Sequence, residues 1–446
     1  MKRAKFFSLD EVNPILERVL ETSVADETEL VWLERSRGAL SARSPDQSVI
    51  EGPSLTILVR VVRGGRLGWF RTAAPTVNEL TDAVRQALAL STSQPKFKKR
   101  PLFPKADDTA LPTGRLHDRQ ISRLTLNEAE NLRDRWRRNG EALRLSWSES
   151  RIVVANSHGL RRHAAASDLS LAITAGQGLH GCGRAASSVR QLKQLDLEAL
   201  YERTYSCHMD ANGETASDIP KDGVPMLLAP EATIELLNVL NLHALSSRAF
   251  LDGSSFMSQH RNIQVFDRQF NLRDDATHEG ALPFPFDFEG SPKRAVDLIV
   301  EGKPSIPALN HHQSLEAGFD PPAQSVGGLD AMYGNLFLLP GTLDPDSLLD
   351  AAGQGLRVGW LEQVSCFEPS HLKIRAVARS VRRVRNGRLA EPLPDFIWET
   401  SLLRALARLE GLGQQTVVRA TPTTPLGGIS APAIVLAEAD GFYPLR

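Results

Sequence analysis

Apolar residues recur at helical spacing behind three capping boxes in the first third of the chain. In such a box the first side chain accepts a hydrogen bond from the backbone three residues on, and the acidic side chain there reaches back. The boxes are Ser8-Leu9-Asp10-Glu11, Thr76-Val77-Asn78-Glu79 and Thr125-Leu126-Asn127-Glu128. The pattern therefore predicts three helices that begin at these points.

Strand-like alternation separates these helices, over residues 29–35, 54–62, 67–72, 144–150, 151–156 and 160–174. Gly64-Gly65 joins two of these runs and favours a hairpin, because both glycines can take positive φ. A further helix is predicted over 196–203. These elements indicate an N-terminal α/β domain over residues 1–218, with helices on mixed or antiparallel strands. A Pro-, Lys- and Ser-rich stretch at about 91–114 is interpreted as a solvated linker.

A short apolar strand at 224–228 and a helix after Pro230 organise the centre of the chain. Strands and turns dominate beyond them, with a hairpin at Asn386-Gly387 and an amphipathic helix predicted over 401–410. We therefore expect a β-rich C-terminal domain with a central helix over residues 219–446. The expected fold class of the whole chain is α+β.

The net charge and the spacing of the cysteines restrict the classes of function and compartment that fit this chain. The chain has 446 residues, and its 52 Lys and Arg against 53 Asp and Glu give a formal net charge of -1. Such a balance favours neither a nucleic-acid partner nor an anionic membrane. Cys182, Cys207 and Cys366 are far apart and show no metal-binding spacing, which favours a reducing compartment. Because no signal peptide or membrane-spanning run is evident, we expect a cytoplasmic protein.

The central helix carries the segment Asn238-Val239-Leu240-Asn241-Leu242-His243. This segment resembles the zinc helix of the TldD/PmbA (TldD/TldE) peptidase family, whose catalytic member has His-Glu-x-x-x-His there. Two histidines at that spacing can face one ion only if the helix widens locally, as in a π-bulge, and the glutamate activates the zinc-bound water. The order of later motifs is also similar, with a G-x-S loop at 253–255, an acidic turn at 274–275, Glu289-Gly290 and a Gly-rich stretch at 326–328.

The resemblance is to the TldE/PmbA-type subunit, which lacks the zinc motif. Asn238 and Val239 stand where the catalytic member has a ligand and the base, and His243 alone is retained. Catalytic members take another ligand from a Cys-Gly segment near the C-terminus, whereas residues 420–428 contain no cysteine. The resemblance therefore implies a non-catalytic chain that holds no metal or cofactor itself. The zinc is expected in a TldD-like partner subunit.

The implied assembly is a heterodimer that encloses a chamber for an extended peptide or unfolded polypeptide. Ser254 and Ser255 are candidates for lining the peptide groove, and the alternative is that their loop is simply a turn. Two other functions stay open: a metallopeptidase in its own right with an atypical metal site, and a stand-alone peptide-binding scaffold.

Two further groups of residues leave alternatives open. His311, His312 and Glu316 contain metal-ligand chemistry, and the last two could share a helix face, but adjacent histidines diverge. The segment 283–288 has three phenylalanines at alternate positions, which share one face of an extended strand. Those rings could contact the partner subunit or fill the core of this chain.

Overall fold

The computed structural model of the protein describes residues 6–41, 48–111, 116–176, 183–207, 222–278, 280–327, 330–421, 423–424 and 426–445. The helices are α1 Leu9–Thr22, α2 Val77–Ser91, α3 Arg119–Ser122, α4 Leu126–Trp136, α5 Leu197–Cys207, α6 Pro230–Leu240, α7 Ser247–Leu251, α8 Met257–His260, α9 His311–Ala317, α10 Pro345–Ala352 and α11 Leu402–Ala405. The strands are β1 Glu27–Leu40, β2 Val49–Arg63, β3 Arg66–Thr72, β4 Ala142–Asn156, β5 Arg161–Ala175, β6 Gly183–Val189, β7 Val224–Leu228, β8 Leu272–Asp274, β9 Val296–Val300, β10 Lys303–Pro304, β11 Asn335–Leu338, β12 Leu356–Glu368, β13 Lys373–Arg385, β14 Arg388–Pro392, β15 Phe396–Ser401, β16 Leu409–Arg419, β17 Gly428–Ala439 and β18 Phe442–Pro444. No helix in the described ranges is long and apolar enough to cross a membrane.

The N-terminal sheet has the strand order β3-β2-β1-β4-β5-β6, and every neighbouring pair in it is antiparallel. Alternate residues of β1 face opposite sides, since Leu30 and Trp32 pack with α1 and α2 whereas Val31 does not. Helices α3, α4 and α5 contribute to a second cluster with Leu143 and Leu145 of β4. One side of this sheet is therefore covered by helices, and the other is available to the C-terminal part of the chain.

The C-terminal sheet is mixed. Its order is β10-β9-β8-β11-β17-β7-β12-β13-β15-β18, and β14 and β16 pair with β13 and β17 off this path. Two of its pairs, β11 with β17 and β7 with β12, are parallel. Helix α6 packs on one face with Met226 and Leu228 of β7, while Leu227 between them joins α10 on the other face. The expected α+β class is confirmed.

Two predictions of local structure are wrong in part. The helix expected over 401–410 is limited to α11, because the chain enters β16 at Leu409, which pairs with Leu436 of β17. Pairing with a long buried strand thus overrides the helical spacing of the leucines. The two strands expected over 144–150 and 151–156 form the single strand β4.

The stretch interpreted as a solvated linker is exposed over most of its described residues, but it contains a buried segment at 102–104. Leu102 and Phe103 are fully buried, and their backbone amides donate to the carboxylate of Glu27. The sequence did not reveal this segment, because the basic and proline residues around the apolar pair conceal its burial. The expected domain boundary after residue 218 falls within 208–221, outside the described residues, and stays a prediction.

The proline-aromatic segment packs on the face of the N-terminal sheet that the helices do not cover. Phe284 and Phe286 are buried against Val31 and Ile152 of the N-terminal sheet, and Phe288 packs at the edge of the same cluster. Their rings therefore join the two halves of this chain, which is the core alternative for this segment.

Candidate site at the central helix

Helix α6 widens at its end. It begins with Pro230 in its first turn and continues beyond Leu240 as a π-helix over Asn241–Leu245. Buried leucines on several sides, among them Leu236 and Leu237, hold the helix in the large C-terminal core. The widened turn overlaps the second half of the segment that resembles the zinc helix, where the spacing of the family's ligands calls for a widened helix.

The loop after β16 is hydrogen-bonded to this helix. Thr423 donates its hydroxyl to the side-chain oxygen Oδ1 of Asn238 at 2.6 Å. The side-chain nitrogen of Asn241 donates to the carbonyl oxygens of Tyr333 at 2.9 Å and Thr423 at 3.2 Å. The backbone amide of Tyr333 donates a hydrogen bond to Oδ1 of Asn241 at 3.2 Å. The structure therefore brings together the two regions, the helix and residues 420–428, in which the resemblance expects ligands.

Val239 and His243, the other two residues of the motif on this helix, do not restore a metal site. Val239 is buried in the apolar core with 5% of its surface exposed. His243 is half-buried, and that burial lowers its pKa, so its ring is neutral at neutral pH. Among the described residues, none is a hydrogen-bond partner of this ring.

The residues at this place do not fit zinc. Zinc sites in proteins use thiolates, imidazoles and carboxylates, and Asn238 offers a neutral amide oxygen that already accepts a hydroxyl. A valine cannot accept a proton from a bound water. Within the described residues no group of three His, Cys, Asp or Glu side chains is arranged to hold a metal ion.

Ser254 and Ser255 occupy different surroundings. Ser255 is buried, donates its hydroxyl to the carbonyl of Ala244 and accepts from the amide of Met257 at 3.0 Å. This placement suits the alternative that the loop is a turn closed by its own hydrogen bonds. Ser254 is exposed and donates to the carbonyl of Ala249 at 3.2 Å. Its role as part of a peptide groove stays a prediction.

The three residues of α9 with metal-ligand chemistry contact earlier parts of the chain. They are His311, His312 and Glu316. Glu316 accepts the backbone amides of Lys98 and Lys99 at 2.7 and 2.8 Å. His312 is buried with its ring centroid 4.8 Å from that of Phe97, and burial lowers its pKa to about 4. The backbone of His311 donates to Glu289 at 2.8 Å. These contacts hold residues 97–99 against α9. They do not bring the three residues together around one point where a metal could bind.

Sequence reasoning missed a buried cluster of charges at the start of α9, where Glu289 accepts the backbone amide of His311. Arg60 of β2 lies between Glu29 of β1 and Glu289, and all three side chains are inaccessible to water. Burial, together with the charge of Glu289, raises the pKa of Asp287 to about 7. The one available signal was an arginine inside the apolar run of β2, since charged residues are seldom fully buried unless paired.

The C-terminal half of the chain matches a known protein family. Residues 221–440 match the family model of the PmbA/TldA metallopeptidase C-terminal domain. A metalloprotease from Methanothermobacter thermautotrophicus is 23% identical over 284 residues, which make up 59% of this chain and 60% of that protein. The chain thus matches only about three fifths of the length of this curated relative.

Solved structures share the fold over nearly the whole chain. A proposed modulator of DNA gyrase from Thermotoga maritima covers 97% of this chain and 100% of its own, with 17% identity and a TM-score of 0.80. TldE from Thermococcus kodakarensis covers the same shares, with 16% identity and a TM-score of 0.78. Identities this low show a common fold and carry no function by themselves.

Proposed function

Because the chain belongs to the TldD/PmbA family, we propose that it is a non-catalytic, TldE/PmbA-like subunit of a heterodimeric zinc metallopeptidase. In this proposal a TldD-like partner holds the zinc and cleaves the peptide bond. This chain completes the wall of a chamber that binds an extended peptide. The nearly equal numbers of acidic and basic residues and the widely separated cysteines favour the cytoplasm as the location of this chain.

The hydrogen bond between Thr423 and Asn238 is the observation that carries the proposal. It joins the two places where catalytic members carry ligands, and it fills the space between them with two neutral polar groups. A zinc ion there would meet a hydroxyl and an amide instead of an imidazole and a thiolate, which bind it far more strongly.

The missing base supports the same conclusion. Zinc peptidases need a carboxylate that takes a proton from the metal-bound water. Val239 stands at that position and is packed among apolar side chains. No step of hydrolysis can therefore be assigned to the residues of this site.

Binding of an extended peptide does not require the metal. A strand edge recognises peptide backbone through main-chain hydrogen bonds, with little dependence on side-chain identity. The exposed hydroxyl of Ser254 is the candidate contact from this chain. Its loop follows α7, which itself follows the π-helix that contains His243.

Metal analysis and peptide hydrolysis together test the proposal. The isolated protein should hold no zinc that survives dialysis and should not cleave an unstructured peptide such as a casein fragment. Co-expressed with a zinc subunit bearing His-Glu-x-x-x-His, it should co-purify with that subunit, and the complex should cleave the peptide. One tightly held zinc per chain in the isolated protein, with hydrolysis, would overturn the non-catalytic assignment. Failure to associate with any zinc subunit would favour the stand-alone scaffold.

A further inference from the structure

Strand β3 forms an open edge of the N-terminal sheet. It is the first strand in the order of that sheet, and β2 is its only partner among the described strands. At the other edge, the backbone amide of Ala420 in the C-terminal part of the chain donates to the hydroxyl of Ser188 in β6 at 2.9 Å. The open edge therefore lies on the far side of the sheet from the loop that contacts Asn238, and it has no part in the function proposed above.

The turn before β3 determines which of its backbone groups face outward. The Gly64-Gly65 turn has φ values of 58° and 81°, as in a two-residue hairpin turn closed by a hydrogen-bonded pair, here Arg63 and Arg66. Hydrogen-bonded and non-hydrogen-bonded pairs alternate along antiparallel strands, so the N–H and C=O groups of Trp69 and Arg71 point away from β2. In the part of the chain that the structure describes, no backbone group pairs with them there.

The edge of β3 lacks the features that protect other strand edges of this protein. Strands β10 and β18, at the two ends of the C-terminal sheet, have two and three residues, and each contains a proline, Pro304 or Pro444. Short strands and prolines limit pairing with another chain. Strand β3 has seven residues, no proline and a regular register with β2. Its edge can therefore accept a further strand.

A groove of about 400 Å³ follows this edge. Helix α2 lies on one face of β3, where a Cβ at Gly68 would collide with the backbone oxygen of Ala87. Leu90 of that helix borders the groove and is 50% exposed, and Trp69, on the opposite face of β3, is 40% exposed. An extended segment along the edge would therefore place successive side chains alternately beside Leu90 and beside Trp69.

Both ends of the groove are basic. Arg71 lines the groove and is exposed, and its guanidinium has no hydrogen-bond or ion-pair partner among the residues that the structure describes. Lys96 is exposed at the start of the strand, where it forms an isolated bridge with Arg66. None of the described residues that line the groove is acidic. A second copy of the chain would add a second Arg71 and a second Lys96 here, so an acidic segment complements the groove better.

We propose that the edge of β3 binds an extended acidic segment of another polypeptide as an added antiparallel strand. The backbone of that segment pairs with Trp69 and Arg71. In a segment such as Glu-Leu-Val, the Glu lies beside Arg71, the Leu packs against Leu90 and the Val packs against Trp69. Strand addition takes its affinity from main-chain hydrogen bonds and its specificity from alternate side chains.

Titration calorimetry of the full chain with three capped peptides tests this site. The first has Glu-Leu-Val between threonines and should bind. In the second Lys replaces Glu, and in the third the amides of Glu and Val are N-methylated. Each of these should bind roughly tenfold more weakly or worse, because the second repels Arg71 and the third cannot donate to the strand. Equal binding of the first peptide and either of the others, or no binding of the first at millimolar concentration, would overturn the proposal.

A second copy of the chain is the competing occupant of the edge. Sedimentation velocity of the chain alone should show no dimer that the Glu peptide dissociates. Such a dimer, if Arg71→Glu also changed its stability, would assign the edge to a second copy and overturn the proposal.

Hydrogen exchange and one charge reversal locate the peptide within the molecule. The Glu peptide should slow the exchange of the amides of Trp69 and Arg71, and protection confined to other segments would overturn the proposal. Arg71→Glu should reverse the preference, so that the Lys peptide binds roughly tenfold more tightly than the Glu peptide. Arg18→Glu, on the exposed face of α1, is the matched control and should keep the original preference. An unchanged preference in Arg71→Glu would place the peptide elsewhere and overturn the proposal.

Discussion

Arg60 of the N-terminal sheet donates from Nη2 to Oε1 of Glu289 in the C-terminal part of the chain at 2.7 Å, and both side chains are buried. The same arginine donates from Nε to Glu29 at 2.8 Å and lies 4.9 Å from the ring centroid of Phe103. One side chain thus connects the N-terminal sheet with the loop between β8 and β9 and with the buried segment that follows α2. The position beside the core of Phe284 and Phe286 makes this cluster part of the junction between the two halves.

Removal of Arg60 should destabilise the protein strongly. Arg60→Met leaves the ionised Glu289 buried without its cationic partner, and breaking a buried pair in this way costs about 3–5 kcal/mol. Urea unfolding followed by circular dichroism measures the loss. Arg18→Met, whose side chain is 63% exposed in the unaltered chain, is the control and should change the free energy of unfolding by less than about 0.5 kcal/mol. A similarly small change for Arg60→Met would contradict the structural role of the cluster.

The stability of the protein should fall as pH rises from about 6.5 to about 8.5. Burial raises the pKa of Glu29, Arg60 opposes that rise and Glu289 adds to it, and the result is a pKa of about 8 in place of 4.5. The folded state therefore holds a proton that the unfolded state has released, and this stabilisation is lost as pH rises through the folded-state pKa. The raised pKa of Asp287, about 7, also makes stability fall as pH rises. The lowered pKa of His312 affects stability only below about pH 6.5, the ordinary pKa of histidine.

Urea unfolding at three pH values across that window measures the slope. Glu29→Gln keeps an oxygen that can accept from Arg60 and removes the titration, so its slope should be smaller than that of the unaltered chain. An equal slope in both proteins would show that another group causes it.

The local parts of the fold were predictable from the sequence, because they depend on neighbouring residues. The capping boxes at Ser8, Thr76 and Thr125 each begin a helix, and the Gly64-Gly65 turn joins β2 to β3. Strand β6 was missed since its Ala- and Ser-rich sequence has no apolar alternation, and it becomes a strand by pairing with β5. The order of strands in the C-terminal sheet depends on contacts between distant residues, which composition does not reveal.

The site was predictable only as far as the helix itself. The widened turn over Asn241–Leu245 agrees with the spacing argument for the family's ligands. Thr423 lies 185 residues from Asn238 in the chain, so its hydrogen bond could not be found from local pattern. The charges around Arg60 could not be paired from sequence for the same reason.

Phe284 should contribute to the stability of this chain and not merely to assembly. It is 4% exposed in the core against the N-terminal sheet, so Phe284→Ala should cost about 3–5 kcal/mol in the free energy of unfolding. Phe367 is 53% exposed, and Phe367→Ala is the control with an expected change of less than about 0.5 kcal/mol. The double variant Phe284→Asp with Phe288→Asp should be unfolded by circular dichroism. A folded double variant with impaired assembly would instead assign these rings to the partner interface.

Restoring the helix motif should not restore hydrolysis. Asn238→His with Val239→Glu supplies an imidazole and a carboxylate near His243, yet the loop at 420–428 still lacks a thiolate. The double variant should therefore bind zinc weakly and leave a peptide substrate intact. Competition with a chromogenic chelator measures the zinc affinity, and circular dichroism shows whether the buried glutamate is tolerated.

Adding Thr423→Cys to that double variant should raise the zinc affinity by roughly tenfold or more, since loss of a single supporting group at a metal site already costs 10- to 100-fold. The hydroxyl of Thr423 lies 2.6 Å from Oδ1 of Asn238, so a thiolate at this position would stand beside the new imidazole. Thr424→Cys in the same background is the matched control, because Thr424 is equally buried but donates to the carbonyl of Thr421 at 3.2 Å. Equal gains from the two cysteines would contradict the geometry of the loop. Efficient hydrolysis by the double variant alone would show that a ligand comes from elsewhere in the chain.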